Sequence, residues 1–262
     1  MNATSTETAG QRLAGMTAVV TGAASGFGAG IATRFVAEGA RVMIADINQQ
    51  AAEKLATELE SQVAGSAIAQ AVDVASAASM EAMFNAATAA FGDVDILVNN
   101  AGITHLPQEM EQVDEDEFDR VLAVNAKSVY LGAQFFVPAM KARGRGAILN
   151  IASTAGVSPR PRLTWYNATK GWMITATRSM AVELAPHGVR VNALNPVAGE
   201  TPLLKSFMGE DTPEMRARFL ATIPIGRFSQ PEDLAAAAVF LCSDEASMVT
   251  GVAMEIDGGR CI

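Results

Sequence analysis

Short, continuously apolar runs alternate with longer stretches of helical periodicity along most of the chain. Met16–Thr21, Arg41–Ala45, Ala67–Val72, Asp95–Val98, Ala147–Ile151, Val189–Leu194 and Val252–Ile256 read as strands. They lack the apolar–polar alternation of a strand with one wet face, so both faces must be covered. Between them, helices are predicted from the Gly-rich turn after Thr21 to Glu38, with Gly39 as cap, and over Gln49–Gln62, Ser76–Phe91, Glu115–Met140, Tyr166–Leu184 and Glu232–Cys242. This rhythm predicts an α/β class protein: one doubly wound domain, a seven-stranded parallel sheet with helices on both faces. Residues 1–11, rich in Thr, Ala and Ser, are expected to form a mobile N-terminal tail, and residues 12–262 the domain. Residues 197–228 break the rhythm and are expected to form a lid or binding loop.

Composition narrows the function. With 262 residues, half of them apolar, the chain can bury a full core without staples. A net charge of −9 argues against a broad nucleic-acid or anionic-membrane surface. Cys242 and Cys261 fit no zinc spacing, and with only His105 and His187 beside them no metal site is expected. No apolar run reaches 18 residues, and residues 1–11 lack the basic and apolar regions of a signal peptide. A cytoplasmic location with reduced thiols is the expectation.

Chemistry enters at the first strand-to-helix turn, Thr21-Gly22-Ala23-Ala24-Ser25-Gly26-Phe27-Gly28. Glycines let the backbone turn sharply and approach a pyrophosphate, and the helix N-terminus offers free N–H groups and a partial positive charge. A dinucleotide is therefore predicted at Gly22, Ser25, Gly26, Phe27 and Gly28. Asp46, at the end of the second strand, would accept the ribose hydroxyls and repel a 2′-phosphate, and no Arg or Lys stands beside it. NAD is favoured over NADP. Asp46 also suits a helix N-cap. Asp73-Val74 closes the third strand where adenine should lie, and Asp73 too could be a cap.

Tyr166 and Lys170 stand four residues apart on one helix face, in a chain with only two Tyr and five Lys. A tyrosinate can remove a hydroxyl proton, but a free phenol titrates near 10, and a cation one turn away favours the ionised form. Ser153 ends the fifth strand, where its hydroxyl can stabilise charge developing on a substrate oxygen. Asn125 lies within the long preceding helix.

Thr21–Gly28, Asn99–Gly102 (NNAG), Asn125, Ser153, Tyr166–Lys170 (YNATK), Asn195-Pro196 and Asp257-Gly258-Gly259 occur in this order along residues 12–260. On these motifs the chain resembles the classical short-chain dehydrogenase/reductase family. The resemblance implies a Rossmann-type fold, with Asn125, Ser153, Tyr166 and Lys170 as the catalytic tetrad. It also implies that Asn100, Ala101 and Gly102 neighbour the cofactor, Asn99 being structural, together with Tyr166, Lys170, Pro196, Val197, Gly199 and Thr201. Asn125 is expected to hold a water near Lys170. One departure stands out: the family's glycine directly after the proline is displaced here to Gly199.

On the substrate side, the lid carries Leu203 and Phe207 among other apolar residues, read as a cover over an alcohol or ketone or simply as a docking face. With Ser153, the positions His105, Arg160 and Arg162 approach the substrate mouth in the family and offer charge for an anion. The function expected is NAD-dependent interconversion of a secondary alcohol and its ketone. The alternatives are a 3-oxoacyl-(acyl carrier protein) reductase, for which Lys141, Arg143 and Arg145 offer some docking charge, and a dinucleotide-binding sensor without turnover. A homotetramer or homodimer is implied by resemblance, with Phe135, Phe136, Trp172 and Met173 as apolar positions beyond core needs.

Overall fold

The computed structural model describes residues 11–262, so the tail predicted over residues 1–11 lies outside them except for Gln11. The order is β1 (Thr17–Thr21), α1 (Gly26–Ala37), β2 (Arg41–Asp46), α2 (Gln49–Gln62), β3 (Ala67–Ala71), α3 (Ala77–Phe91), β4 (Ile96–Asn99), α4 (Glu115–Leu122), α5 (Ser128–Arg143), β5 (Gly146–Ile151), α6 (Thr164–Leu184), β6 (Val189–Pro196), α7 (Leu204–Met208), α8 (Pro213–Leu220), α9 (Pro231–Cys242) and β7 (Ala253–Ile256). The seven strands pair in parallel in the order β3-β2-β1-β4-β5-β6-β7, the predicted Rossmann-type sheet. Chain direction across the sheet reverses between β1 and β4. A crevice therefore opens at the carboxyl ends of those strands, the general place for ligands in such sheets.

The apolar strand runs reflect the two layers. Ala18 and Val20 of β1 pack with Ile31 and Phe35 of α1 and Leu234 and Val239 of α9. Val19, between them in sequence, turns to the other face and meets Met80 and Met83 of α3 and Leu131 and Phe136 of α5. Alternate side chains enter different cores, so no position is left polar. Phe136 and Met173 are thus core residues rather than spare interface positions, and of those four expected apolar positions Trp172 is the exposed one. No described helix is long and apolar enough to cross a membrane.

The helix predicted as continuous from Glu115 to Met140 is interrupted. Residues Ala123–Lys127 form a π-helical turn between α4 and α5, and α5 runs on to Arg143. A turn of this kind inserts one residue and rotates the helix beyond it.

A buried polar chain ties the sheet to α6. Asn99 Nδ2 donates to Asn150 Oδ1 (2.9 Å), and Asn150 Nδ2 donates to Thr177 Oγ1 (2.8 Å). Asn150→Ala would strand both partners in the core. It should cost about 2–3 kcal/mol and lower Tm by roughly 5–10 °C. An unchanged Tm would show that the chain of bonds contributes nothing.

Candidate active site

The crevice is a cavity of about 670 Å³. Gly22 follows β1 on its wall, Asp46 ends β2, Asp73 follows β3, Asn100 follows β4, Ile151 ends β5 and Pro196 ends β6. Every strand from β1 to β6 therefore contributes its carboxyl end or the residue next to it. At one end lie Asp73, Val74 and Ala75. At the other lie Tyr166, Lys170, Leu203 and Phe207.

The Gly-rich turn is shaped as a cradle. Gly22 and Gly26 have φ of 61° and 55°, a region closed to most side chains. Gly28 does not reach the cavity; a Cβ there would collide with the Gly22 carbonyl oxygen and the Asn100 amide, so it serves the close packing of α1 on the turn. Ser25 stands at the N-cap of α1 without a side-chain cap bond, and the first turn carries no acid. The helix N-terminus thus opens, uncapped, beside Gly26 and Phe27 on the wall.

Asp46 faces the same space. Its Oδ2 accepts from Ala24 N (3.0 Å) and its Oδ1 from Asn48 N (2.9 Å). It is not the cap of α2, a place taken by Asn48, whose side chain accepts from Ala51 N. Likewise Ser76, not Asp73, caps α3. Both carboxylates remain on the cavity wall.

After β4, Asn100 Nδ2 donates to the carbonyls of Thr21 and Gly22 (both 2.9 Å), pinning the glycine turn. Asn125 sits in the π turn with its side chain buried behind the wall. Its Oδ1 accepts from Ile103 N (2.9 Å), and its Nδ2 donates to Ile103 O (2.8 Å) and Thr169 Oγ1 (3.0 Å). Gly102 passes between, so close that a Cβ there would lie 3.4 Å from Lys170 Nζ and 3.5 Å from Asn125 Oδ1.

Tyr166 and Lys170 are each only 4% exposed. Lys170 Nζ donates to Ile151 O (2.8 Å) and lies 5.9 Å from the centre of the Tyr166 ring. Burial lowers the ammonium to about 8. Burial pushes the phenol up to about 12, opposed by a hydrogen bond with Ser153. Ser153 Oγ also accepts from Ala155 N (3.0 Å) at the start of a tight turn. That turn is held on α6 by Gly156, where a Cβ would lie 2.8 Å from Gly171 N. Small residues on both sides thus bring Ser153 against Tyr166.

The displaced glycine has a physical reason: a Cβ on Gly199 would collide with the Phe27 ring. Gly199, Thr201 and Pro196 line the cavity, whereas Val197 turns away and packs with Leu204, Met208 and Phe219. Residues 197–228 carry α7 and α8, and Phe207 packs edge-on against Tyr166 with ring centres 5.1 Å apart.

The other expected substrate residues do not line the cavity. His105 is 1% exposed, and its Nδ1 donates to Leu106 O. Arg162, at φ 64°, pairs with Glu109. Arg160 lies over the Phe219 ring at 4.1 Å. Residues not foreseen line it instead: Ile47, Ile103, Arg120, Val124 and Pro202 among them. Arg120 follows Glu117 by one helical turn and bonds back to it (3.6 Å). Its periodicity marks only an exposed helix face, so no signal in the sequence aims it at the crevice.

A family model described as Enoyl-(Acyl carrier protein) reductase matches residues 22–260. The 4-formylbenzenesulfonate dehydrogenase of Comamonas testosteroni is 51% identical over 94% of this chain and 97% of its own. The 2-(S)-hydroxypropyl-CoM dehydrogenase 3 of Xanthobacter autotrophicus is 39% identical over 95% and 97%. A crystal structure of 3-ketoacyl-(acyl-carrier-protein) reductase from Brucella melitensis, complexed with NADH, superposes with a TM-score of 0.90 at 50% identity, covering 95% of this chain and all of that one.

Proposed function

The chain belongs to the short-chain dehydrogenase/reductase family of oxidoreductases, and on that footing we propose that it is an NAD-dependent enzyme interconverting a secondary alcohol and its ketone. The observation that carries this reading is the buried Tyr166 phenol on the wall of the crevice, one helical turn from the buried Lys170 ammonium. The uncapped N-terminus of α1, the positive-φ glycines and the size of the cavity fit a dinucleotide. A bound nicotinamide would accept or return the hydride.

The chain's own groups supply the rest. Tyr166 takes the substrate's hydroxyl proton in oxidation and returns it in reduction. Lys170 holds positive charge beside the phenol and favours its ionised form. Ser153 offers its hydroxyl to the same substrate oxygen. Asn125 is a positioning residue, fixing Ile103, which follows Gly102, and Thr169, which precedes Lys170. Residues 197–228 act as the lid, with Leu203 and Phe207 against the substrate.

Asp46 supports NAD: a 2′-phosphate would face its carboxylate. The name of one relative agrees with the substrate class, since a 2-hydroxypropyl group is a secondary alcohol, whereas the formyl group named for another is an aldehyde. The activity named for the Brucella melitensis relative favours the reading as a 3-oxoacyl reductase. Against it, Asp93 and Asp95 pair with Arg143, and Asp95 also with Arg145, so two carboxylates offset much of the three-cation patch expected to dock a carrier protein.

A panel of secondary alcohols and one 3-oxoacyl thioester, each tried with both cofactors, tests the proposal. NAD should give the higher kcat/KM. Asp46→Ala should move the NADP-to-NAD ratio upward by roughly tenfold or more, because a like-charge contact is relieved. A higher kcat/KM with NADP in the unaltered protein would overturn the role of Asp46. Tight NAD binding with no turnover on any substrate would favour the sensor.

A further inference from the structure

Two exposed side chains stand on the crevice wall without a role in the core. Ile47, the residue after Asp46, is 77% exposed. Arg120 reaches the wall from α4 and is also exposed. Among the described residues, Arg120 and Lys170 are the cations that line the crevice. Lys170 is buried and bonded to Ile151 O at the reacting end, which leaves Arg120 without a part in the proton transfer.

The two come from opposite faces of the sheet. Ile47 opens the turn from β2 into α2, and α2 packs on one face through Ala52, Ala56 and Leu59. Arg120 precedes the π turn into α5, and α5 packs on the other face through Leu131 and Phe136. The carboxyl edge of the sheet lies between them. Helix geometry says which end of the crevice Arg120 meets. Phe118 packs edge-on against Trp165 of α6, with ring centres 5.4 Å apart. Two residues on is about 200° around a helix, so Arg120 points away from α6 and the Tyr166 end. Val124, one turn beyond Arg120, packs against the apolar cluster that contains Val74. Arg120 therefore faces the end formed by Asp73, Val74 and Ala75.

We infer that Arg120 and Ile47 are two jaws that close on an adenine ring, the guanidinium plane on one face of the base and the isoleucine on the other. The inference rests on the reading of the crevice as a dinucleotide site with its adenine end at Asp73. Guanidinium is planar and weakly hydrated, and it stacks on flat π-systems. Glu117 approaches Arg120 Nη2 at 3.6 Å, and its other oxygen accepts from Gln108 Nε2 (3.1 Å). A carboxylate engages a guanidinium through its N–H edge and a base through its face, so this counter-charge steadies the jaw without filling it. An isoleucine turned to water gains when a base covers it.

Calorimetry with ADP-ribose and with nicotinamide mononucleotide probes the two ends of the crevice separately. Arg120→Ala and Ile47→Ala should each weaken ADP-ribose binding roughly three- to tenfold and leave the mononucleotide within about twofold. Arg120→Tyr restores a flat face without charge and should recover most of the loss. Arg120→Lys, a charge without a plane, should recover little. Both positions are exposed, so Tm should stay within about two degrees of the parent. Recovery by Lys but not by Tyr overturns the stacking, because the charge alone would then be acting on a phosphate. ADP-ribose binding indifferent to both Ala variants overturns the jaws and leaves the NAD reading standing. Failure of the unaltered protein to bind ADP-ribose or NAD overturns the dinucleotide reading and the jaws with it. ADP-ribose binding that tracks the substitutions, with no alcohol or ketone turned over, supports the jaws and sinks the proposed reaction instead.

Discussion

Tyr166→Phe should lower kcat by roughly 10²–10⁴-fold, the usual worth of a positioned acid–base group, and leave the Kd for NAD within about twofold. The ring stays, so its edge-on packing with Phe207 and its place on the cavity wall are kept. The substitution deletes only the hydroxyl that meets the substrate oxygen. In the protein alone that hydroxyl is a poor base, since burial holds it at about 12. Two positive charges are available to bring it down, the Lys170 ammonium and the oxidised nicotinamide, and both act only on the ionised form. The reaction should therefore quicken in the oxidising direction as pH rises toward about 8, beyond which the Lys170 ammonium loses its proton. Phe removes that dependence together with the rate. Initial rates and quenching of cofactor fluorescence measure the two halves of the prediction. Turnover within tenfold of the parent would remove Tyr166 from the role of base.

Much of this site was legible because its determinants are local. The glycine turn, the Tyr–Lys spacing and the apolar runs each depend on residues within one strand or one helical turn. Gln49–Gln62 came out with its boundaries intact because its polar face, its Asn48 cap and the Val63 break are all neighbours in sequence. The π turn at Ala123–Lys127 was hidden, since its reason is a tertiary one: it carries Asn125 to Ile103 and Thr169. Val197 illustrates a second limit. Adjacent strand-end residues point in opposite directions, so Pro196 reaches the crevice and Val197 reaches the α7–α8 cluster. Arg260 illustrates a third. At the end of the chain it looks like a solvated tail charge, and only the docking of the last turn against Pro224 and Ile225 brings it to Ser158.

Lys170→Met should make the protein more stable at pH 7 and nearly inactive. Burial lowers the Lys170 ammonium from 10.5 to about 8, a difference worth about 3 kcal/mol against folding with the charge in place. Against this stands the bond from Nζ to Ile151 O, whose loss costs about 1 kcal/mol. Met fills nearly the same unbranched volume without a charge. The first effect wins, leaving a net gain of about 1–2 kcal/mol, which should raise Tm by a few degrees. The pH dependence fixes the cause. Between about 8 and 10.5 the unfolded chain keeps the Lys170 proton while the folded protein has released it, so the parent gains stability as pH rises through that window. The Met variant has no such gain. Its advantage should be largest at neutral pH and shrink by about pH 9.5, which thermal unfolding at the two values would show. A variant less stable than the parent at pH 7 would mean that the buried ammonium is well compensated. The expected result makes Lys170 a residue retained against the interest of the fold, which is the behaviour of a group kept for the charge it holds beside Tyr166.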